Sequence, residues 1–172
     1  FTCLPGEGHH LRGAISISPS YDYLEKAYDD AKYGNFSQEP YMDIILPSVL
    51  DPDMAPPGKH VMSCFVQYAP YNINGNWDDT KREAFGDAVI NTLARFIPNI
   101  KNIILHRQVL SPMDLETNFS LTEGNIFHGE LSLQQLFSLR PAAKWANYTT
   151  PIQNYYQCGS GTHPGGGITG SP

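Results

Sequence analysis

The chain has 172 residues, 41% of them hydrophobic and 12% aromatic, with a formal charge of −6 at pH 7. That length and apolar content suit a folded domain with a real core and exclude a disordered chain. The acidic balance, with 11 Lys and Arg scattered along the chain, excludes a nucleic-acid-binding surface, which needs clustered basic charge.

In chain order, residues 1–10 are rich in Pro, Gly and His and predict a loop. Gly13-Ala-Ile-Ser-Ile-Ser18 alternates and predicts a strand. Ser20 is placed to cap a helix over Tyr21–Tyr33, whose Leu24, Ala27, Tyr28 and Ala31 share a face, with Gly34 just past its end. Tyr41–Leu46 predicts a second strand, and Asp51-Pro-Asp-Met-Ala-Pro-Pro-Gly58 a turn. Lys59–Tyr68 predicts a strand beside the previous one. From Asp78 or Asp79 the longest helix begins, with Phe85, Ala88, Val89, Leu93, Phe96 and Ile97 at helical spacing and Pro98 as its stop. Asn-Ile-Ile-Leu within Lys101–Leu110 reads as a strand, Ser111-Pro-Met-Asp114 as a helix start, Leu131–Leu139 as a short helix, and Asn154–Gln157 as a short strand. Strands with helices inserted at intervals predict an α+β fold, a mixed sheet with helices over one face.

Several chemistries find no support. The six histidines lack metal-ligand spacing, and His106 falls inside a predicted strand. Cys3, Cys64 and Cys158 are odd in number and far apart, which favours a reducing compartment over a disulfide framework. Gly159-Ser-Gly161 lacks the spacing of a nucleophile elbow. No apolar run reaches membrane-span length, so no transmembrane segment is expected.

Two segments carry possible ligand chemistry. The glycine-dense run from Cys158 to the end is either a flexible terminus or a turn laid against a ligand, since glycine permits positive φ and close backbone approach. Gly124-Asn-Ile-Phe-His128 with Leu133-Gln-Gln-Leu136 and Arg140-Pro141 sets Asn125, His128, Gln135 and Arg140 among large apolar side chains. That mixture lines an apolar pocket with a few orienting groups, or forms ordinary core with surface polars.

Taken with Asp51–His60 and Ser111–Glu116, the order of these motifs resembles the C-terminal part of the phytoene-desaturase-like flavoprotein oxidoreductases, from about residue 10 to the end. The resemblance implies FAD as cofactor, contacted by Gly159, Ser160, Gly161, Thr162, His163, Pro164, Gly165, Gly166 and Gly167. It places Asn125, His128 and Arg140 on the substrate side. It implies that residues 1–34 are a partial return segment of the FAD-binding domain and 35–150 a substrate domain. Residues 151–172 become a flavin-contacting strand and glycine-rich turn cut short. The Gly-x-Gly-x-x-Gly turn of the dinucleotide half is missing. The expected function is therefore part of an FAD-dependent oxidoreductase moving hydride between a hydrophobic substrate carbon and flavin N5, inactive without that half. A hydrophobic small molecule is the implied partner, with self-association or a protein partner at any surface the missing half leaves open. The implied address is the mitochondrial matrix in a eukaryote and the cytoplasm in a bacterium. The alternative is a non-catalytic binding or protein-interaction module that keeps the substrate-domain fold.

Overall fold

Three short runs of alternating burial build the first half of the structure. In the computed structural model, which describes residues 8–166, Ile15–Ile17 forms β1. The chain then turns through Ser20, whose hydroxyl accepts the Tyr23 amide at 3.2 Å and so starts α1, Tyr21–Lys32. Gly34 follows with φ of +82°, the left-handed conformation that ends a helix, and the Asn74 side chain packs where a Cβ would stand. Asn74 also binds the backbone on both sides of the turn, through its amide to the Gly34 carbonyl and its carboxamide to that of Tyr33.

β2, Tyr41–Ile45, and β3, Ser63–Gln67, complete a sheet of order β1-β2-β3. Both pairings are antiparallel, with Ile17 opposite Met42 and Met42 opposite Val66. The mixed sheet expected from the sequence is thus an antiparallel meander among the described residues. Both pairs join strands that follow one another in the chain. The period of two sends Ile17, Met42 and Ile44 to one face. There they meet Leu93 and Ile97 from α2, Asp79–Phe96 and its end, and Ile100 from α3, Ile100–Ile103. The opposite face carries Ser16, Tyr41, Asp43 and Phe65. Both carboxylate oxygens of Asp43 accept hydroxyls there, one from Ser16 and one from Tyr41 at 2.7 Å. These two donors hold its carboxyl below the usual range.

The Asp78 side chain caps α2 by accepting the Lys81 amide at 2.8 Å. An aromatic group of Phe36, Trp77 and Phe85, with ring centres 5.4–6.2 Å apart, supports its first half. Buried Ser37 joins three elements by donating to the Ala27 carbonyl at 2.5 Å and accepting the Tyr68 amide at 2.8 Å. The strand expected over Lys101–Leu110 is absent. Ile100–Ile103 is a helical turn with Ile100 buried against the sheet, and the rest is irregular with His106 exposed. Burial of Ile100 on the shared core outweighs the β-preference of the short apolar run.

Burial pushes the Cys64 thiol up to about 11, whereas Cys158 is exposed. Since the thiolate is the reacting species, iodoacetamide at pH 8 is expected to modify Cys64 on the order of a hundredfold more slowly than Cys158. Peptide mapping of the labelled protein checks this, and equal rates would contradict the burial of Cys64.

The chain divides into two compact units after Ser111, and β1 pairs with β2 within the first. The second unit opens with α4, Pro112–Phe119, with Pro at its first position as expected. Beyond it regular structure is scarce. Leu131–Leu139 forms two 3₁₀ turns, Leu133–Gln135 and Phe137–Leu139, in place of the expected helix. Left-handed φ at Phe137, +50°, interrupts any continuous helix. The strand expected over Asn154–Gln157 reduces to a single bridge between Thr149 and Tyr156. No helix among the described residues is long and apolar enough to cross a membrane.

Candidate functional site

All seven non-glycine residues with left-handed backbone among the described residues lie in the second unit, at Ser120, Glu123, His128, Phe137, Lys144, Tyr148 and Asn154. Each costs about 1–3 kcal/mol and persists only where surrounding contacts over-determine it, a pattern that concentrates at ligand-binding loops. The strongest such contact network centres on Arg140.

Arg140 is 1% exposed. Its Nε donates to the Ser160 carbonyl at 2.8 Å. Nη1 donates to Glu130 and Gln135 carbonyls at 3.2 and 3.1 Å, and Nη2 to Phe127 and His128 carbonyls at 2.9 and 3.1 Å. Guanidinium carries five N–H donors in a rigid planar fork, so every donor is used. No carboxylate pairs with it among the described residues. Burying an unpaired charge costs several kcal/mol. Five hydrogen bonds to a charged group, at about 1.5–3 kcal/mol each, offset that cost. The resemblance assigns Arg140 to the substrate side; in the structure its five donors all go to backbone carbonyls.

Those loops are the two segments singled out in the sequence. In the first, Asn125 Oδ1 accepts the Phe127 amide at 2.9 Å and the Asn125 carbonyl accepts the His128 amide at 3.1 Å. Together they make a tight turn that leaves the His128 side chain exposed. In the second, Thr162 is buried and bonds the Gly159 carbonyl twice, from its amide at 3.0 Å and its hydroxyl at 2.7 Å. Gly159, with φ of +97°, has no atom within 4 Å of where a Cβ would stand, so conformation and not crowding calls for glycine there. Gly165 and Gly166 approach the first segment instead. A Cβ at Gly165 would lie 3.6 Å from Leu136 and 3.7 Å from Arg140, and one at Gly166 3.3 Å from Phe127. The Pro164 carbonyl accepts the Phe137 amide at 3.0 Å.

His163 stacks edge-on to Tyr148 at 6.3 Å, and its Nδ1 is buried with no hydrogen-bond partner. A buried ring nitrogen without a partner is uncommon and marks a place where a ligand group can complete the bonding. Gly167 lies outside the described residues. The structure therefore brings Asn125, His128 and Arg140 together with Ser160–Gly166. Sequence reasoning did not single out Phe127, or the carbonyls of Glu130 and Gln135, because carbonyl convergence leaves no residue-type signature. In the first unit, an open groove of about 520 Å³ lies between Asp87, Asn91, Lys101 and Arg107. It also went unsignalled, since it lies between α2 and a segment for which the sequence predicts a strand. Among the described residues no group of three or more His, Cys, Asp and Glu is placed to hold a metal.

No family model matches the chain. It is 42% identical over 167 residues to the mouse pyridine nucleotide-disulfide oxidoreductase domain-containing protein 2, covering 96% of this chain and 29% of that one. It is 45% identical over 150 residues to the rat protein of the same name, covering 86% and 26%. A lycopene-forming phytoene desaturase from a Paracoccus species is 33% identical over 128 residues, covering 72% and 24%. The chain thus spans less than a third of the length of each of these relatives.

Proposed function

From the premise that the chain belongs to the phytoene-desaturase-like oxidoreductases, as a C-terminal-like portion of them, we propose that it supplies one wall of a flavin site. In this reading the enzyme is an FAD-dependent oxidoreductase acting on a hydrophobic substrate. The observation that carries it is the packing of the Ser160–Gly166 turn against the Asn125–His128 turn, with Arg140 between them.

The residues present fit such a cofactor. The turn has the open, positive-φ backbone at Gly159 that permits close approach, and His163 Nδ1 is an orphaned buried polar atom. When bound, FAD supplies the hydride acceptor or donor, and the protein supplies position and electrostatics. Gly159–Gly166 would hold it. His163 would complete its bonding against it, kept in place by Tyr148. The exposed apolar side chains of Ile126, Phe127, Leu131 and Leu133 would take the apolar body of the substrate, with Asn125 and His128 as orienting polar groups. On this reading turnover needs a dinucleotide-binding half, whose Gly-x-Gly-x-x-Gly turn is not found within these 172 residues.

The polypeptide at its full length is expected to purify yellow, with visible flavin absorption. His163→Ala is expected to weaken FAD binding about tenfold, equivalent to about 1.4 kcal/mol, read by flavin fluorescence titration. A full-length protein that takes up no flavin would exclude this reading. If that protein nonetheless captured an apolar ligand, the non-catalytic binding module would take its place.

A further inference from the structure

Nothing regular in the backbone holds the two turns of the second unit together. The region from Asn125 to Gly166 has no named strand or helix beyond the two 3₁₀ turns, so ladder hydrogen bonds cannot fix its parts. Of its backbone–backbone bonds, the one from the Phe137 amide to the Pro164 carbonyl joins the Arg140 side to the glycine side. Arg140 adds a second link to the glycine side through Ser160 and ties it to four carbonyls of the 127–135 segment, which the Phe137 amide does not reach.

We propose that Arg140 is a positioning residue: its buried guanidinium couples the Phe127–His128 turn to the glycine-rich turn, so that substrate side and flavin side are set by one side chain. The roles of the two sides rest on the flavin reading above; the mechanical coupling does not. Fork geometry decides which residue can do this. A planar cation with five fixed donors reaches five carbonyls in diverging directions, whereas a lysine ammonium offers three donors from a single point. Lysine at 140 keeps the charge and loses the bridge. The carbonyl of Ser160 lies one residue after Gly159, whose positive φ aims that peptide, so releasing Ser160 frees the turn that carries Thr162 and His163. On the other side, the carbonyls of Phe127 and His128 bracket a residue held at φ of +56°, a conformation that relaxes once its contacts are removed.

The test uses the polypeptide at its full length with Arg140→Lys and Arg140→Ala. Amide hydrogen exchange is followed in residues 126–131, in residues 159–166 and, as a folding control, in β2. In Arg140→Lys we expect both segments to exchange at least tenfold faster together while β2 is unchanged. In Arg140→Ala, added methylguanidinium is expected to restore protection in both segments, which a general packing defect would not permit. The visible flavin spectrum is expected to shift in both variants and to return with methylguanidinium in the alanine variant. Acceleration confined to one segment, or no acceleration in either with β2 intact, overturns the coupling. If Arg140→Ala does not fold, Arg140→Lys alone decides by the same criterion. A full-length protein that binds no flavin sinks the functional reading, and the paired exchange response still decides the coupling.

Discussion

Gly124→Ala is expected to destabilise the second unit by about 2–5 kcal/mol, or to prevent it from folding. Two costs add. The residue has φ of +67°, where a side chain is strained by roughly 1–2 kcal/mol. A Cβ there would also stand 2.4 Å from the carbonyl oxygen of Pro112 and 2.6 Å from its Cα. Those are backbone atoms, so no rotamer change relieves the overlap, and overpacking of this kind costs about 1–3 kcal/mol more. Relief requires pulling the Thr122–Gly124 turn away from the first residue of α4, breaking the bond from the Gly124 amide to the Leu121 carbonyl. A matched variant separates cause from context. Gly129→Ala also has positive φ, +117°, but open space around it, and is expected to lose the strain part alone. Urea unfolding followed by exchange in the second unit checks both. Equal losses in the two variants would show that the contact with Pro112 contributes nothing.

The second large effect is expected at Ile44→Ala. Ile44 is 2% exposed on the central strand and belongs to the core cluster with Met42, Leu93 and Ile97. Truncating a buried isoleucine removes transfer free energy and leaves a cavity that the sheet and α2 cannot both move to fill, at a cost of about 2–5 kcal/mol. In a domain of this size each kcal/mol lowers the melting temperature by about 4–8 °C, so a fall of at least 8 °C is expected in the unfolding of the first unit. Ile45→Ala is the comparison. Its side chain is 47% exposed on the other face, and a change of less than about 1 kcal/mol is expected. A larger loss at 45 than at 44 would mean that β2 turns its other face to the core.

Legibility in the sequence followed the range of the interaction. Ser20 with Gly34, and Asp78 with Pro98, bracket α1 and α2 because capping and helix termination are decided within a few residues. The strand at Tyr41–Leu46 was equally local, and it stands over Tyr41–Ile45. Asn102-Ile-Ile104 was not decidable at that range. A short apolar run suits helix or strand, and burial of Ile100 beneath the sheet chose the helical turn. Leu131–Leu139 read as a short helix, yet left-handed φ at Phe137 leaves two 3₁₀ turns in its place. For the candidate site, the sequence pointed to Asn125, His128, Arg140 and the glycine run as separate segments. That Arg140 lies between them, with its donors turned to backbone, depends on a convergence that residue types do not encode.

The meander has a consequence in time. Each pairing in the first unit joins strands that follow one another in the chain, so its sheet can form as the polypeptide is made, once Gln67 has emerged. The second unit cannot follow that schedule. Its central cation gathers carbonyls from Phe127, His128, Glu130 and Gln135, all available early, but its fifth partner is Ser160. Until Ser160 has been synthesised, Arg140 holds an incomplete shell, and the half-built unit is the stage at which a newly made chain is open to proteases and chaperones.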